Sequence, residues 1–266
     1  MSRMRVGAPF KISLALLVVA LAALLLEAQG RSGRGAPAAA DTVEGPRRVG
    51  QGALLPLGPT TEPRPRDDAR HRRFLEIARA GNIDLLFVGD SITDRWRRED
   101  SGLAAFTEHF GGYRTANFGV PADTIQETLW RLQNGQLDGF EAKLIVFMLG
   151  TNNINRNRNA DIAEGNRAII AEFHRRQPQA KVLLLGVFPR GARADNPYRA
   201  SVREINARLA MFADHSRVFY MDIGDRFLAA DGTLPTDIMP DRLHPSQQGY
   251  RIWAEAIAPK VKELME

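Results

Sequence analysis

From about residue 84 onward, apolar positions alternate between two patterns. Unbroken apolar runs of strand length occur at Leu85–Val88, Leu144–Leu149, Val182–Val187 and Val218–Met221, with a weaker one near Thr115–Phe118. Such runs fit parallel strands, whose two faces are both covered by helices. Between them lie stretches of helical spacing, roughly 124–134, 159–177 and 198–214, and a last one near 246–264. In the third, Tyr198, Val202, Ile205, Leu209 and Phe212 share one face; in the last, Tyr250, Trp253, Ala254, Ile257, Val261 and Leu264 do. A short helix over 67–80, stopped by Gly81, precedes the first strand. Strands alternating with helices predict right-handed crossovers and a three-layer α/β/α sandwich around a five-stranded parallel sheet. No internal repeat and no second domain emerges from the pattern.

The first 66 residues read differently. Arg3, Arg5 and Lys11 precede an apolar run from Ile12 to Leu26, which is followed by Glu27-Ala28. A basic start, a run of that length and a small residue at Ala28 predict an export signal over residues 1–28. The run is shorter than the about 20 residues of a membrane span. Leu26, two before Ala28, departs from the usual cleavage box, so an uncleaved signal anchor is the alternative. Residues 29–66 are rich in Gly, Ala, Pro and Arg with neither period, which predicts a disordered tether. The globular domain is then expected over 67–266.

Composition narrows the function. The chain has no cysteine, which excludes disulfides, thiolate metal sites, a cysteine nucleophile and a lipid-modified cysteine. Its net charge of +5 would suggest nucleic acid, but the excess is local. Residues 1–73 hold 12 Lys/Arg against 6 Asp/Glu, and residues 74–266 hold 24 against 25. A near-neutral globular part leaves a nucleic-acid partner without support.

The candidate chemistry follows the strands. Asp84-Leu85-Leu86-Phe87-Val88-Gly89-Asp90-Ser91 places a small polar nucleophile at the carboxyl end of the first strand, where open α/β sheets keep their ligands. Taken alone, Gly-Asp-Ser also reads as a turn and helix cap. Three further blocks follow later strands: Asn117–Thr124, Gly150-Thr151-Asn152-Asn153, and Asp241-Arg242-Leu243-His244. Serine hydrolysis needs a base, and a neutral imidazole suits neutral pH, so His244 is the candidate. Asp241, three residues earlier, can fix the imidazole tautomer. The backbone N–H groups of Ser91 and Ala122 and the side-chain amide of Asn152 are candidate donors to an oxyanion. No Gly-x-Ser-x-Gly elbow surrounds Ser91. Asp241 and His244 could instead ligate a metal, but a third ligand is not evident. His71, His109, His174 and His215 lack matching partners and read as surface or packing residues. Trp96 and Trp130 read as helix-packing aromatics, and Arg156 and Arg158 as a solvated loop.

Together these blocks resemble the GDSL/SGNH hydrolase superfamily. Within it the chain is most similar to the catalytic subunits of type Ib platelet-activating-factor acetylhydrolase and their bacterial relatives. Leu129–Gly135, Arg176–Lys181 and Pro189-Arg190-Gly191 carry the closer likeness, and the resemblance covers roughly residues 70–264. It implies a flavodoxin-like sheet and a metal-free serine esterase without a cofactor. It also implies a shallow site for short acyl groups, acetyl foremost, on carbohydrate, lipid or small-molecule esters. By the same likeness Ser91 is the nucleophile, Asp241 and His244 complete a triad, and Asn152 is an oxyanion donor. One residue departs from the family: Ala122 stands where a glycine usually precedes Asp-Thr. Because Pro121 fixes its own φ, Ala122 is expected at negative φ with its N–H in the site and its methyl trimming acyl space. The rival readings are a non-catalytic glycan- or protein-binding module on the same scaffold, and a lysophospholipase or thioesterase. The expected partner is a small ester, and a membrane is met only through the leader.

Overall fold

The computed structural model describes residues 56–266. The expected leader and the tether as far as residue 55 lie outside the described residues.

Five strands form one parallel sheet: β1 Leu85–Gly89, β2 Thr115–Gly119, β3 Leu144–Met148, β4 Lys181–Leu185 and β5 Val218–Met221. Their spatial order is β2-β1-β3-β4-β5, the flavodoxin-like winding. The helices are α1 Ala69–Ala80, α2 Ser91–Asp94, α3 Leu103–Phe110, α4 Ile125–Arg131, α5 Asn159–Arg176, α6 Pro197–Ala210 and α7 Gln247–Met265. Alternation along β1 supplies both layers. Leu86 and Val88 pack with Phe74, Leu129, Ile169, Phe173 and Ile205 on the side of α1, α4, α5 and α6. Leu85 and Phe87 pack with Trp96, Phe110, Tyr250, Trp253 and Ile257 on the side of α3 and α7. The three-layer α/β/α sandwich predicted from the apolar runs is therefore the fold.

Three local differences have physical reasons. Periodicity marks neither α2 nor α3, since each is shorter than the window over which a helical period shows. The helix expected over 124–134 ends at Arg131 and continues as a wider turn, Leu132–Gln136, because Asn134 and Gly135 leave helical geometry (Gly135 φ 97°). The third difference is at the start of the domain. Residues 57–66, expected to be a disordered tether, run against the fold as a strap. Leu57 N–H donates to the Arg156 carbonyl, Gln126 Nε2 to Gly58 at 2.7 Å, and Arg64 N–H to Gln126 at 3.0 Å. Thr60 is buried against Gly165 of α5. The absence of a helix or strand period in 57–66 is real; what orders the segment is hydrogen bonding to other loops, which no periodicity reports.

Candidate active site

In this winding the loops after β1 and β3 diverge, and ligands bind in the crevice between them. Ser91 follows β1 and Asn152 follows β3. Gly89 makes the turn into α2 possible, because a Cβ there would stand 2.2 Å from Thr93 Oγ1 and 2.6 Å from the Met148 carbonyl. Its neighbour in register, Gly119, likewise lets the α2 backbone approach; a Cβ would meet the Asp94 nitrogen at 2.3 Å. Asp90 caps α2, accepting from Ile92 N–H at 2.9 Å. Burial pushes the Asp90 carboxyl up to about 6, against the pull of that N–H and of His244.

Ser91 Oγ lies 2.9 Å from His244 Nε2, and His244 Nδ1 lies 2.6 Å from Asp241 Oδ2. The other oxygen of Asp241 accepts from the Leu243 and His244 N–H groups at 3.1 and 2.7 Å. One carboxylate thus closes the tight turn with Oδ1 and orients the ring with Oδ2. Burial pushes the Asp241 carboxyl up, but the hydrogen bonds from His244 and Leu243 outweigh it and hold it well below the usual carboxylate range. Arg242, inside this turn, takes positive φ (59°) and is tied down by its Nη1 on the Leu234 carbonyl at 2.6 Å. The arrangement is a hydroxyl within reach of a base whose far nitrogen faces a carboxylate. Such a relay can raise the nucleophilicity of Ser91.

The loop after β2 corrects one expectation. Ala122 has φ 63°, not a negative value. Asp123 N–H donates to the Val120 carbonyl at 3.2 Å, closing a turn with Pro121 at its second position and Ala122 at its third. Proline second and positive φ third mark a type II turn, which favours glycine third. Pro121 at the second position is compatible with turns of either sign, so it does not prevent positive φ as expected, and alanine bears roughly 1–2 kcal/mol for it. Ala122 is exposed, and its N–H has no hydrogen-bond partner among the described residues.

Behind the turn, the buried Asp123 carboxylate accepts from Arg131 Nε and Nη2 at 2.9 and 3.0 Å and from Arg66 Nη1 at 2.6 Å. Burial pushes this carboxyl up, and the guanidiniums of Arg131 and Arg66 pull it down. The Asp123 carbonyl accepts from Asn152 Nδ2 at 2.9 Å. Asn153, fully buried, joins the same two loops: its Oδ1 accepts from Ile125 N–H, and its Nδ2 donates to Gln126 and Asn157. Sequence reasoning left out Arg66, Arg131 and Asn153 as supports of the site. Asn153, in the third block, and Arg131, inside the Leu129–Gly135 stretch of closer likeness, carried a signal; Arg66 carried none.

The residues expected to pack do so. His71 is buried between Gln136 and Trp130, and Trp96 lies in the aromatic cluster with Phe110, Tyr250 and Trp253. Arg158 pairs with Asp161 on the surface. Among the described residues no cluster of three or more His, Cys, Asp or Glu could hold a metal ion.

A parallel sheet in this order, with serine after its first strand and the Asp-x-x-His turn beside it, belongs to a recognised class of acyl-transferring enzyme. The model of the GDSL-like lipase/acylhydrolase family matches residues 87–252, and the chain belongs to that family of esterases and acylhydrolases. Among its relatives is the alpha1 subunit of platelet-activating factor acetylhydrolase IB from Bos taurus. The two are 33% identical over 201 residues, covering 72% of this chain and 84% of the relative. Two solved structures share the fold. A GDSL-like lipase from Bacteroides thetaiotaomicron has a TM-score of 0.54 at 21% identity, covering 73% of this chain and 97% of that one. Est24, a carbohydrate acetylesterase from Sinorhizobium meliloti, has a TM-score of 0.53 at 21% identity, covering 68% and 99%.

Proposed function

We propose that this enzyme is a serine esterase that removes short acyl groups, acetyl foremost, from oxygen esters. The observation that carries the reading is the relay of Ser91 Oγ, 2.9 Å from His244 Nε2, with His244 Nδ1 2.6 Å from Asp241. Ser91 Oγ attacks the acyl carbon as His244 Nε2 takes its proton, and Asp241 steadies the imidazolium. The N–H groups of Ser91 and Ala122 and the amide of Asn152 receive the oxyanion. His244 returns the proton to the leaving alcohol, and water then releases the acyl group by the same steps. The acetyl preference draws support from the acetylhydrolase subunits at 33% identity and from the acetylesterase with the same fold. The methyl of Ala122, beside the free N–H, would further limit acyl length.

Turnover of p-nitrophenyl esters of graded chain length, with fluorophosphonate labelling of the serine, tests the reading. Ser91→Ala and His244→Ala should each abolish turnover in a folded protein, and the label should sit on Ser91. A folded Ser91→Ala variant with full activity would overturn it.

We also propose that the enzyme is exported, from the basic start and apolar run of residues 3–26. A fusion of residues 1–66 to alkaline phosphatase should be active outside the cytoplasm; an inactive, cytoplasmic fusion refutes export. No helix among the described residues is long and apolar enough to cross a membrane.

A further inference from the structure

Arg66 lies outside the stretch that the family model matches, yet it grips the loop after β2 at two points. Its Nη1 donates to Asp123 Oδ1 at 2.6 Å, and its Nη2 donates to the Pro121 carbonyl at 3.2 Å. That carbonyl shares a peptide unit with the N–H of Ala122. The unit is trans, so its C=O and N–H point in opposite directions. With the carbonyl turned to Arg66, the N–H is turned away from the strap, and it has no partner of its own among the described residues.

Alanine does not favour φ 63° by itself, so the turn must be held from outside. Arg66 is well placed to hold it. Arg131 Nη1 donates to the Arg66 carbonyl at 2.8 Å, while Arg131 also binds Asp123 from the buried side. Upstream, Arg64 is tied to Gln126 of α4. The guanidinium is thus presented by a segment fixed on both sides of it. A charged donor on the carbonyl also polarises the peptide and strengthens its N–H as a donor.

We propose that Arg66 is a positioning residue for the oxyanion loop: it fixes the Pro121–Ala122 peptide so that the Ala122 N–H faces the developing oxyanion. The proposal rests on the esterase reading above. Its role is to replace, by a contact from the strap, the conformational preference that a glycine at 122 would supply.

The test compares the full chain with Arg66→Ala, Arg66→Lys, Ala122→Gly and the Arg66→Ala/Ala122→Gly pair on p-nitrophenyl acetate. Loss of a whole oxyanion donor costs about 10²–10³ in kcat, so Arg66→Ala should lower kcat by about tenfold or more, with KM within about threefold. Arg66→Lys, which can reach one acceptor but not both in the planar fork, should recover part of the loss. With glycine at 122 the same Arg66→Ala change should cost much less, because glycine adopts positive φ without help. Unchanged kcat in folded Arg66→Ala, or an equal loss in both backgrounds, overturns the proposal. If wild type neither turns over esters nor takes the fluorophosphonate at Ser91, the esterase reading fails instead. The crystal structure of Arg66→Ala then decides the proposal by itself: a reoriented Pro121–Ala122 peptide supports it, and an unchanged one refutes it. Should Arg66→Ala not fold, Arg66→Gln, which keeps one donor, takes its place in both measurements.

Discussion

The Asp123 carbonyl accepts a 2.9 Å hydrogen bond from Asn152 Nδ2, so the loops after β2 and β3 are joined. One amide hydrogen of Asn152 is spent on this bond, and the proposed mechanism uses the other for the oxyanion. Truncation at Asn152 therefore removes a donor and loosens the neighbouring loop together. Asn152→Ala should lower kcat on acetyl esters by about 10²–10³ with a smaller change in KM. Steady-state kinetics on a variant with unchanged circular dichroism checks this; a kcat within a few-fold of wild type would remove Asn152 from the site.

Ala122 at φ 63° makes a prediction of opposite sign for stability. Relief of roughly 1–2 kcal/mol of left-handed strain is partly offset by the extra freedom of glycine in the unfolded chain, roughly 0.5–1 kcal/mol. Ala122→Gly should thus be more stable by about 0.5–1 kcal/mol in urea unfolding. Acetyl-ester turnover should stay within a few-fold of wild type, and longer acyl chains should be better tolerated once the methyl is gone. A clear loss of stability would mean that the turn does not hold positive φ in solution.

Arg131 and Asp123 form an ion pair with both side chains almost wholly buried, Nε to Oδ2 2.9 Å. Removing one member of such a pair leaves a charge without its partner, at about 3–5 kcal/mol. Arg131→Ala should therefore lower the unfolding midpoint far more than a surface arginine such as Arg158→Ala, which should shift stability by about 0.5 kcal/mol or less. Comparable effects of the two would show that Arg66 alone satisfies Asp123.

Asp90 sets a pH dependence. Burial raises its carboxyl from 3.8 to about 6, so between those values the folded protein holds a proton that the unfolded chain has released. Stability from this group is present below the lower value and is lost as pH rises through the higher one. Two pKa units correspond to about 3 kcal/mol. Asp90→Asn keeps an acceptor for Ile92 N–H and removes the titration. Its stability should therefore rise relative to wild type from pH 4 to pH 6.5. Thermal unfolding across that range measures the difference, and parallel curves for the two proteins would refute it.

The architecture was legible in the sequence because burial of both sheet faces demands unbroken apolar runs, and Leu85–Val88 and Leu144–Leu149 obey that demand locally. The triad candidates were legible for a similar reason. Ser91, Asn152 and the Asp241–His244 turn each follow a strand, or a loop after one, and parallel strands send all such loops to one edge. Asp241 and His244 even meet within a single turn, so their pairing needs no long-range contact.

The support of the site was a different matter. Pro121 was legible as a restraint, but a proline at the second position and the closing hydrogen bond are common to turns of either sign. The φ of Ala122 therefore depended on which way the Pro121–Ala122 peptide faces, with its carbonyl toward Arg66. Arg66 sits in a proline- and arginine-rich stretch with no period, 55 residues from Pro121 in sequence. Its role as a clamp appears only when α4 brings Arg131, and the loop after β2 brings Asp123, beneath it. Hydrophobic pattern is a local consequence of where the core lies, so it can be read along the chain. A buried guanidinium–carboxylate network is a meeting of distant single residues whose types are common everywhere, so only the tertiary structure decides which of them meet.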